Sequence, residues 1–371
     1  MKAVRILLVL LVTFGFSSVT PAFAAEKTFD QYFMEDVDYD HGAYEELERF
    51  LYADIFDGYQ ETGVYEEDGM EFEYTSIFLK PENNITRAQF TKILVNAMNL
   101  SNGDIKKTFS DVKSSEWYYN YVQIASSRGI VIGKEDGTFK PNDKITRAQM
   151  ATMIYRAFNQ TIDFSSKVKA FKDVKSNDEV SDAIVRIASV GIVKGYGDVF
   201  KPYNFATRSQ AVLMIDRAMH QEAGLDEDKL SVIQTVNRNI TEELLYTNQN
   251  DLEALEALYR ETTMGYYLAL SLESVNVEED PEYSGGSVAM EQVGEHTSSI
   301  LSLNKRFAEV KVDNLKVHVS INEPEMDMSF EMTYDLSGTA YLKKTADGTW
   351  KIYNLVYDDE DYEDMLTASR N

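Results

Sequence analysis

The chain has 371 residues, 36 of them Lys or Arg and 62 Asp or Glu, giving a formal charge of −26. That balance excludes the phosphate-neutralising surface of a nucleic-acid binder. With 44% hydrophobic and 26% charged residues the composition is that of a folded chain, long enough for two or three domains. Cysteine is absent, which excludes a disulfide framework, a Cys-ligated metal and thiol catalysis. His41, His220, His296 and His318 include no pair at helical ligand spacing, so neither a metal nor a cofactor is expected.

Lys2 and Arg5 precede the apolar run Ile6–Phe16, and small residues follow up to Ala22 and Ala24. This pattern reads as a secretory signal peptide over residues 1–24. The run is too short for a hydrocarbon core of about 30 Å, and no later stretch is long and apolar enough to span one. The mature chain is therefore expected outside the cell, with no membrane span and a charge of −28 once Lys2 and Arg5 are removed.

Residues 25–223 repeat one unit three times. Ile85-Thr86-Arg87-Ala88-Gln89, Ile145-Thr146-Arg147-Ala148-Gln149 and Ala206-Thr207-Arg208-Ser209-Gln210 lie 60 and 61 residues apart, each preceded by Lys-Pro at a constant distance. Phe109-Ser110-Asp111-Val112 matches Phe171-Lys172-Asp173-Val174, and the Gly-Ile-x-x-Gly turn ending at Gly133 matches the one ending at Gly195. The units span 25–100, 101–162 and 163–223 and read as helix, loop, helix. Threonine followed three residues later by glutamine is a capping box. The second helices carry apolar stripes at Phe90, Ile93, Leu94 and Ala97, at Met150, Met153, Ile154 and Phe158, and at Ala211, Met214, Ile215 and Ala218. Such units bury their stripes only against one another. The first copy is degenerate and carries an acidic, aromatic insertion around Gln60–Tyr74.

Arginine at the first helical position faces the positive end of the helix dipole, at a cost of up to about 1 kcal/mol. Its recurrence at Arg87, Arg147 and Arg208 points to an anion beside each helix start, where free N–H groups and a guanidinium converge. Pairing with an acid of the neighbouring copy is the alternative.

These landmarks together resemble the S-layer homology family in three tandem copies. The resemblance implies a mainly α module with pseudo-threefold symmetry, helix–loop–helix repeats standing around a central bundle. It also implies noncovalent anchoring to a bacterial cell wall, with an anionic, pyruvylated secondary cell-wall polysaccharide as partner. The binding residues it implies are Arg87, Arg147, Arg208, Trp117, Thr86, Thr146, Thr207, Gly133 and Gly195. Trp117 has no aromatic counterpart, since its position falls on Gly42 in the first copy and Glu179 in the third.

Residues 224–371 lose the repeat. Helical patterns over Leu230–Tyr246 and Leu252–Leu272 give way to alternating strands, with Asp347-Gly348 as a hairpin turn. This α+β layout resembles the NTF2-like cone. Tyr266, Tyr267, Tyr334 and Trp350 read as core, and Glu323, Glu325 and Asp327 as a solvated face, as does the tail from Asp358 to Asp364. The expectation is a secreted, non-enzymatic wall-bound protein displaying a C-terminal module. A wall-anchored enzyme acting on glycan or a small ligand is the competing reading.

Overall fold

The computed structural model describes residues 27–67, 70–101, 107–165, 170–175, 178–278, 287–323 and 328–358. The expected signal peptide, the acids Glu325 and Asp327 and the tail beyond Asp358 lie outside the described residues. Two compact units emerge, one of residues 33–224 with 304–306, the other of residues up to 32, 225–303 and 307 onward.

The first unit contains helices α1 (Tyr44–Tyr52), α2 (Arg87–Ala97), α3 (Tyr119–Ser127), α4 (Arg147–Phe158), α5 (Glu179–Ser189) and α6 (Arg208–His220). The first helix of each copy packs on the second helix of another: α3 on α2, α5 on α4, α1 on α6. The apolar stripes of α2, α4 and α6 are buried, each large side chain contributing about 1.5–3 kcal/mol. Between α1 and α2 the insertion forms an antiparallel ribbon of β1 (Tyr59–Glu67) and β2 (Met70–Phe78).

A ring of backbone hydrogen bonds ties the copies together. Ile85 N–H donates to Ala206 O (3.0 Å), Ala206 N–H to Ile145 O (2.9 Å), and Ile145 N–H to Ile85 O (3.0 Å). All three residues are fully buried. An aspartate in each copy also clamps the loop ahead of the second helix. Asp36, Asp111 and Asp173 accept from the N–H groups of Leu79 and Lys80, Phe139 and Lys140, and Phe200 and Lys201, at 2.7–2.8 Å. The clamp holds Lys80, Lys140 and Lys201 at φ of 51°, 61° and 60°, a left-handed conformation that costs a non-glycine residue about 1 kcal/mol or more.

The second unit contains α7 (Asp228–Gln249), α8 (Leu252–Thr262) and α9 (Gly265–Glu278), then β3 (Ser287–Val293), β4 (Thr297–Leu303), β5 (Phe307–Asp313), β6 (Lys316–Glu323), β7 (Met328–Asp335), β8 (Gly338–Lys344) and β9 (Trp350–Tyr357). The helical pattern over Leu252–Leu272 breaks into α8 and α9, where Thr263 bridges Ile352 and Gly265 takes φ of 57°. The strands form a sheet of order β3-β6-β7 and another of order β4-β5-β8-β9. Val232 and Val236 of α7 and Tyr267 of α9 pack on them with Val310, Val319, Leu342, Trp350 and Ile352.

The fold-class expectation is therefore corrected. The described residues form nine α-helices and nine strands in three sheets, an α+β mixture, not a mainly α module followed by a cone. Residues 59–78 depart from helix because alternating polar and β-prone residues on either side of residues 68–69 pair with each other in register, Tyr59 opposite Phe78. In the second unit the strands are divided between two sheets.

Candidate functional site

The three threonines are helix caps. The hydroxyls of Thr86, Thr146 and Thr207 accept from the N–H groups of Gln89, Gln149 and Gln210 at 3.2–3.3 Å. The Gln89 and Gln149 side chains close the boxes by accepting from the Thr86 and Thr146 N–H groups. Gln210 instead donates to the Tyr196 hydroxyl and accepts from Arg147 Nη1 (3.1 Å).

The expectation of free N–H groups at these helix starts is not met. Arg87, Arg147 and Arg208 N–H donate to Asp143, Asn204 and Asn83 carbonyls, and the next N–H in each helix donates to a proline carbonyl, at 2.9–3.0 Å. These are the orphan donors of a first turn, and a different copy satisfies them. Closing the ring thus consumes the groups an anion would have used.

The guanidinium groups are set into the frame as well. Arg87, Arg147 and Arg208 are 7%, 6% and 4% exposed. Their Nε atoms donate to Phe139 O (2.9 Å), Phe200 O (2.9 Å) and Leu79 O (2.6 Å), each in another copy. Arg87 lies 4.8 Å over the Phe139 ring, Arg147 4.7 Å over Phe200, and Arg208 4.4 Å over Phe56 and 4.8 Å over Tyr59. Burial lowers the pKa of all three, offset by Asp143 and Asp111 at Arg87, by Tyr196 and Asp173 at Arg147, and by Tyr59, Asp36 and Asp57 at Arg208. Burial would raise the Asp173 carboxyl, but the Phe200 and Lys201 N–H groups outweigh it and hold the pKa low. Carbonyls and aromatic faces are the arginines' principal partners.

Gly133 and Gly195 belong to the frame. Their φ values are 72° and 71°, and an added Cβ would stand 2.3 Å from the Phe109 ring and 2.4 Å from the Phe171 ring.

One groove draws on all three copies. It encloses about 260 Å³ between Phe56, Asp57 and Tyr59 after α1, Gln89 and Lys92 on α2, Trp117 ahead of α3, and Arg208 at the start of α6. Trp117 is 54% exposed, far more than most large apolar residues here. Tyr59 OH accepts from Gln89 Nε2 at 2.8 Å, and Lys92 Nζ pairs with Asp57 at 2.6 Å. The groove therefore holds an exposed indole, an amide donating to a phenol, the Lys92–Asp57 ion pair, and the buried Arg208 guanidinium at its wall. Of the sequence-predicted residues it unites Trp117 with Arg208, whereas Arg87 and Arg147 lie outside its lining.

Sequence reasoning missed Tyr59, Gln89, Lys92 and Asp36. For Asp36 a signal existed: Asp36-Val37 stands 75 residues before Asp111-Val112, the repeat period lengthened by the insertion, but Met34 replaces the phenylalanine that marks the other copies.

Residues 108–151 and 170–212 match the S-layer homology domain family. A cellulosome-anchoring protein of Acetivibrio thermocellus is 32% identical over 156 residues, 40% of this chain and 35% of that protein. A middle cell wall protein of Brevibacillus brevis is 31% identical over 170 residues, 45% of this chain and 14% of that protein. The chain thus spans only about a third or less of these relatives. A ketosteroid isomerase-like protein from Erwinia carotovora atroseptica covers 35% of this chain and 93% of its own, at 12% identity and a TM-score of 0.23, a likeness too slight to bear on the fold. No helix among the described residues is long and apolar enough to cross a membrane. The chain carries S-layer homology sequence in residues 108–151 and 170–212, and its place is the cell wall or cell surface.

Proposed function

We propose that this protein holds on to the cell wall by binding an anionic wall polysaccharide in the Trp117 groove, and that it acts as a binding protein displaying its second unit. In this reading residues 33–100 are a further S-layer homology copy, degenerate in sequence but sharing the ring, the clamp and the buried arginine. The observation that carries the proposal is the meeting of an exposed indole with Arg208 and Lys92 in one groove. A sugar ring stacks its apolar face on the indole, and its acidic substituent, a pyruvate ketal in the chemistry the resemblance implies, lies toward the two cations. Tyr59 and Gln89 supply hydrogen bonds to hydroxyl groups.

With a formal charge of −26 the chain repels an anionic polymer at long range, over a Debye length of about 8 Å at physiological salt. Attraction is therefore local, and binding should hold or improve as salt rises from low to moderate. The test is sedimentation of the full chain with purified walls, before and after acid extraction of their polysaccharide. Trp117→Ala is expected to cut the bound fraction about tenfold. Retention unchanged in Trp117→Ala, or on extracted walls, would overturn the proposal.

A further inference from the structure

The two sheets of the second unit end in four edge strands, and three of them carry a device against further pairing. On β3 the Asn248 side chain takes the place of a neighbouring strand. Its Oδ1 accepts from Met290 N–H and its Nδ2 donates to Met290 O, both at 2.7 Å. On β9, Ile352 O accepts from Met264 N–H at 2.8 Å, where Thr263 bridges the strand. On β4 the register with β5 shifts between Ile300 and Ser302, a bulge of the kind that turns an edge away from new partners.

β7 has none of these devices. Its register with β6 runs unbroken from Lys316–Asp335 to Glu323–Met328, and among the described residues no strand pairs with its other side. It contains no Lys, Arg or Pro, the residues that commonly guard an edge. Phe330 lies opposite Ile321 and Met332 opposite Val319, so both share the face whose β6 members are buried in the core. Phe330 and Met332 are nevertheless 37% and 45% exposed. The apolar face thus runs past the core onto a regular, unguarded edge.

We infer that β7 docks a second copy of this chain, the two β7 strands pairing antiparallel across a two-fold axis at Met332. Self-complementarity decides the occupant. Setting Met328 against Asp335 would pair the whole strand but put each apolar residue opposite a polar one, as a one-residue slip does. Centring on Glu331 would set that carboxylate against its own copy, which is destabilising. Centring on Met332 places Met332 opposite Met332, Phe330 opposite the second copy's Tyr334, Glu331 opposite its Thr333 and Ser329 opposite its Asp335. Apolar then meets apolar, each acid meets a hydroxyl, and no like charges face each other. The outward main-chain donors and acceptors of both edges are matched in the same step.

The test is sedimentation equilibrium of the full chain from about 1 to about 200 μM, where dimers are expected to form. Met332→Lys should weaken association at least about tenfold, because a cation then faces its own copy on the axis, whereas Met332→Val should stay within about threefold of the unaltered chain. The chain has no cysteine, so Met332→Cys carries its sole thiol. Under mild oxidation it should give disulfide-linked dimers about tenfold faster than Ser329→Cys, whose two thiols would stand about 20 Å apart in this register. A chain that stays monomeric throughout that range, equal linking of the two cysteine variants, or full association of Met332→Lys with folding intact by circular dichroism would each overturn the assignment. So would protection of the β7 amides from hydrogen exchange in the monomer at every concentration, which would give the edge to a segment of the same chain.

Discussion

The inner and outer faces of the first unit obey different rules. Inside, the copies are nearly interchangeable: the ring at Ile85, Ile145 and Ala206, the aspartate clamps and the three arginines on neighbouring carbonyls repeat with distances that agree within a few tenths of an ångström. Outside, they diverge. Where the groove at Arg208 meets Trp117, Tyr59 and Lys92, the corresponding places beside Arg87 hold Glu179, Lys134 and Thr152. A repeat signature therefore reports a shared frame, and what sets this groove apart is Trp117, Tyr59 and Lys92, which the signature does not contain.

The largest effects should come from breaking the frame. Asp36→Ala, Asp111→Ala and Asp173→Ala each strip two backbone N–H groups of their acceptor. Each should cost about 3 kcal/mol in urea unfolding, with similar values in the three copies. A copy whose aspartate is dispensable would break the equivalence. Next, Arg87→Met and Arg208→Met should each lose about 2 kcal/mol of stability, since each leaves a buried carbonyl without its donor. Only Arg208→Met should also weaken wall sedimentation, by about tenfold. Equal loss of binding in both would mean that the arginines act alike.

Smaller changes sharpen the contrast. Glu179→Trp places an aromatic where Trp117 stands in the preceding copy and frees Arg156 of its partner. Wall retention should rise by about threefold if the missing indole is what silences that position. The smallest effect concerns pH. His220 has its pKa raised above 6.5, first by its hydrogen bond to Asp216, which also binds Arg49 Nη1 at 2.7 Å. The stabilisation is complete below about pH 6.5 and fades as pH climbs through the higher folded value. His220 is 40% exposed and screened, so the loss between pH 6 and 9 should be only a few tenths of a kcal/mol, absent in His220→Gln by thermal unfolding.

The frame was legible because it is local. Thr86-x-x-Gln89 and its counterparts announce a helix start through chemistry contained in four residues, and the stripes following them announce a buried face. The groove was not, because Tyr59, Trp117 and Arg208 come from three copies, the last two 91 positions apart. Nothing in the sequence near Arg208 states that its ring neighbours would be Phe56 and Tyr59. The same distance hid the fate of the first-turn N–H groups. Taken alone, each helix start has free donors; only the neighbouring copy, arriving with Asn83, Asn204 or Asp143, removes them. The ribbon at Tyr59–Phe78 is legible only as an insertion, because its two strands pair with each other and share nothing with the period of the repeat.

The cyclic pairing of Ile85, Ala206 and Ile145 has a consequence for how this chain can change. Every member gives one bond and receives one, so the set is saturated, and removal of any single copy strands a buried donor and a buried acceptor on the remaining two. A fourth copy would have nowhere to attach. Variation is thereby pushed into insertions such as residues 59–78 and into surface substitutions, where a lineage can retune what it grips without touching the count.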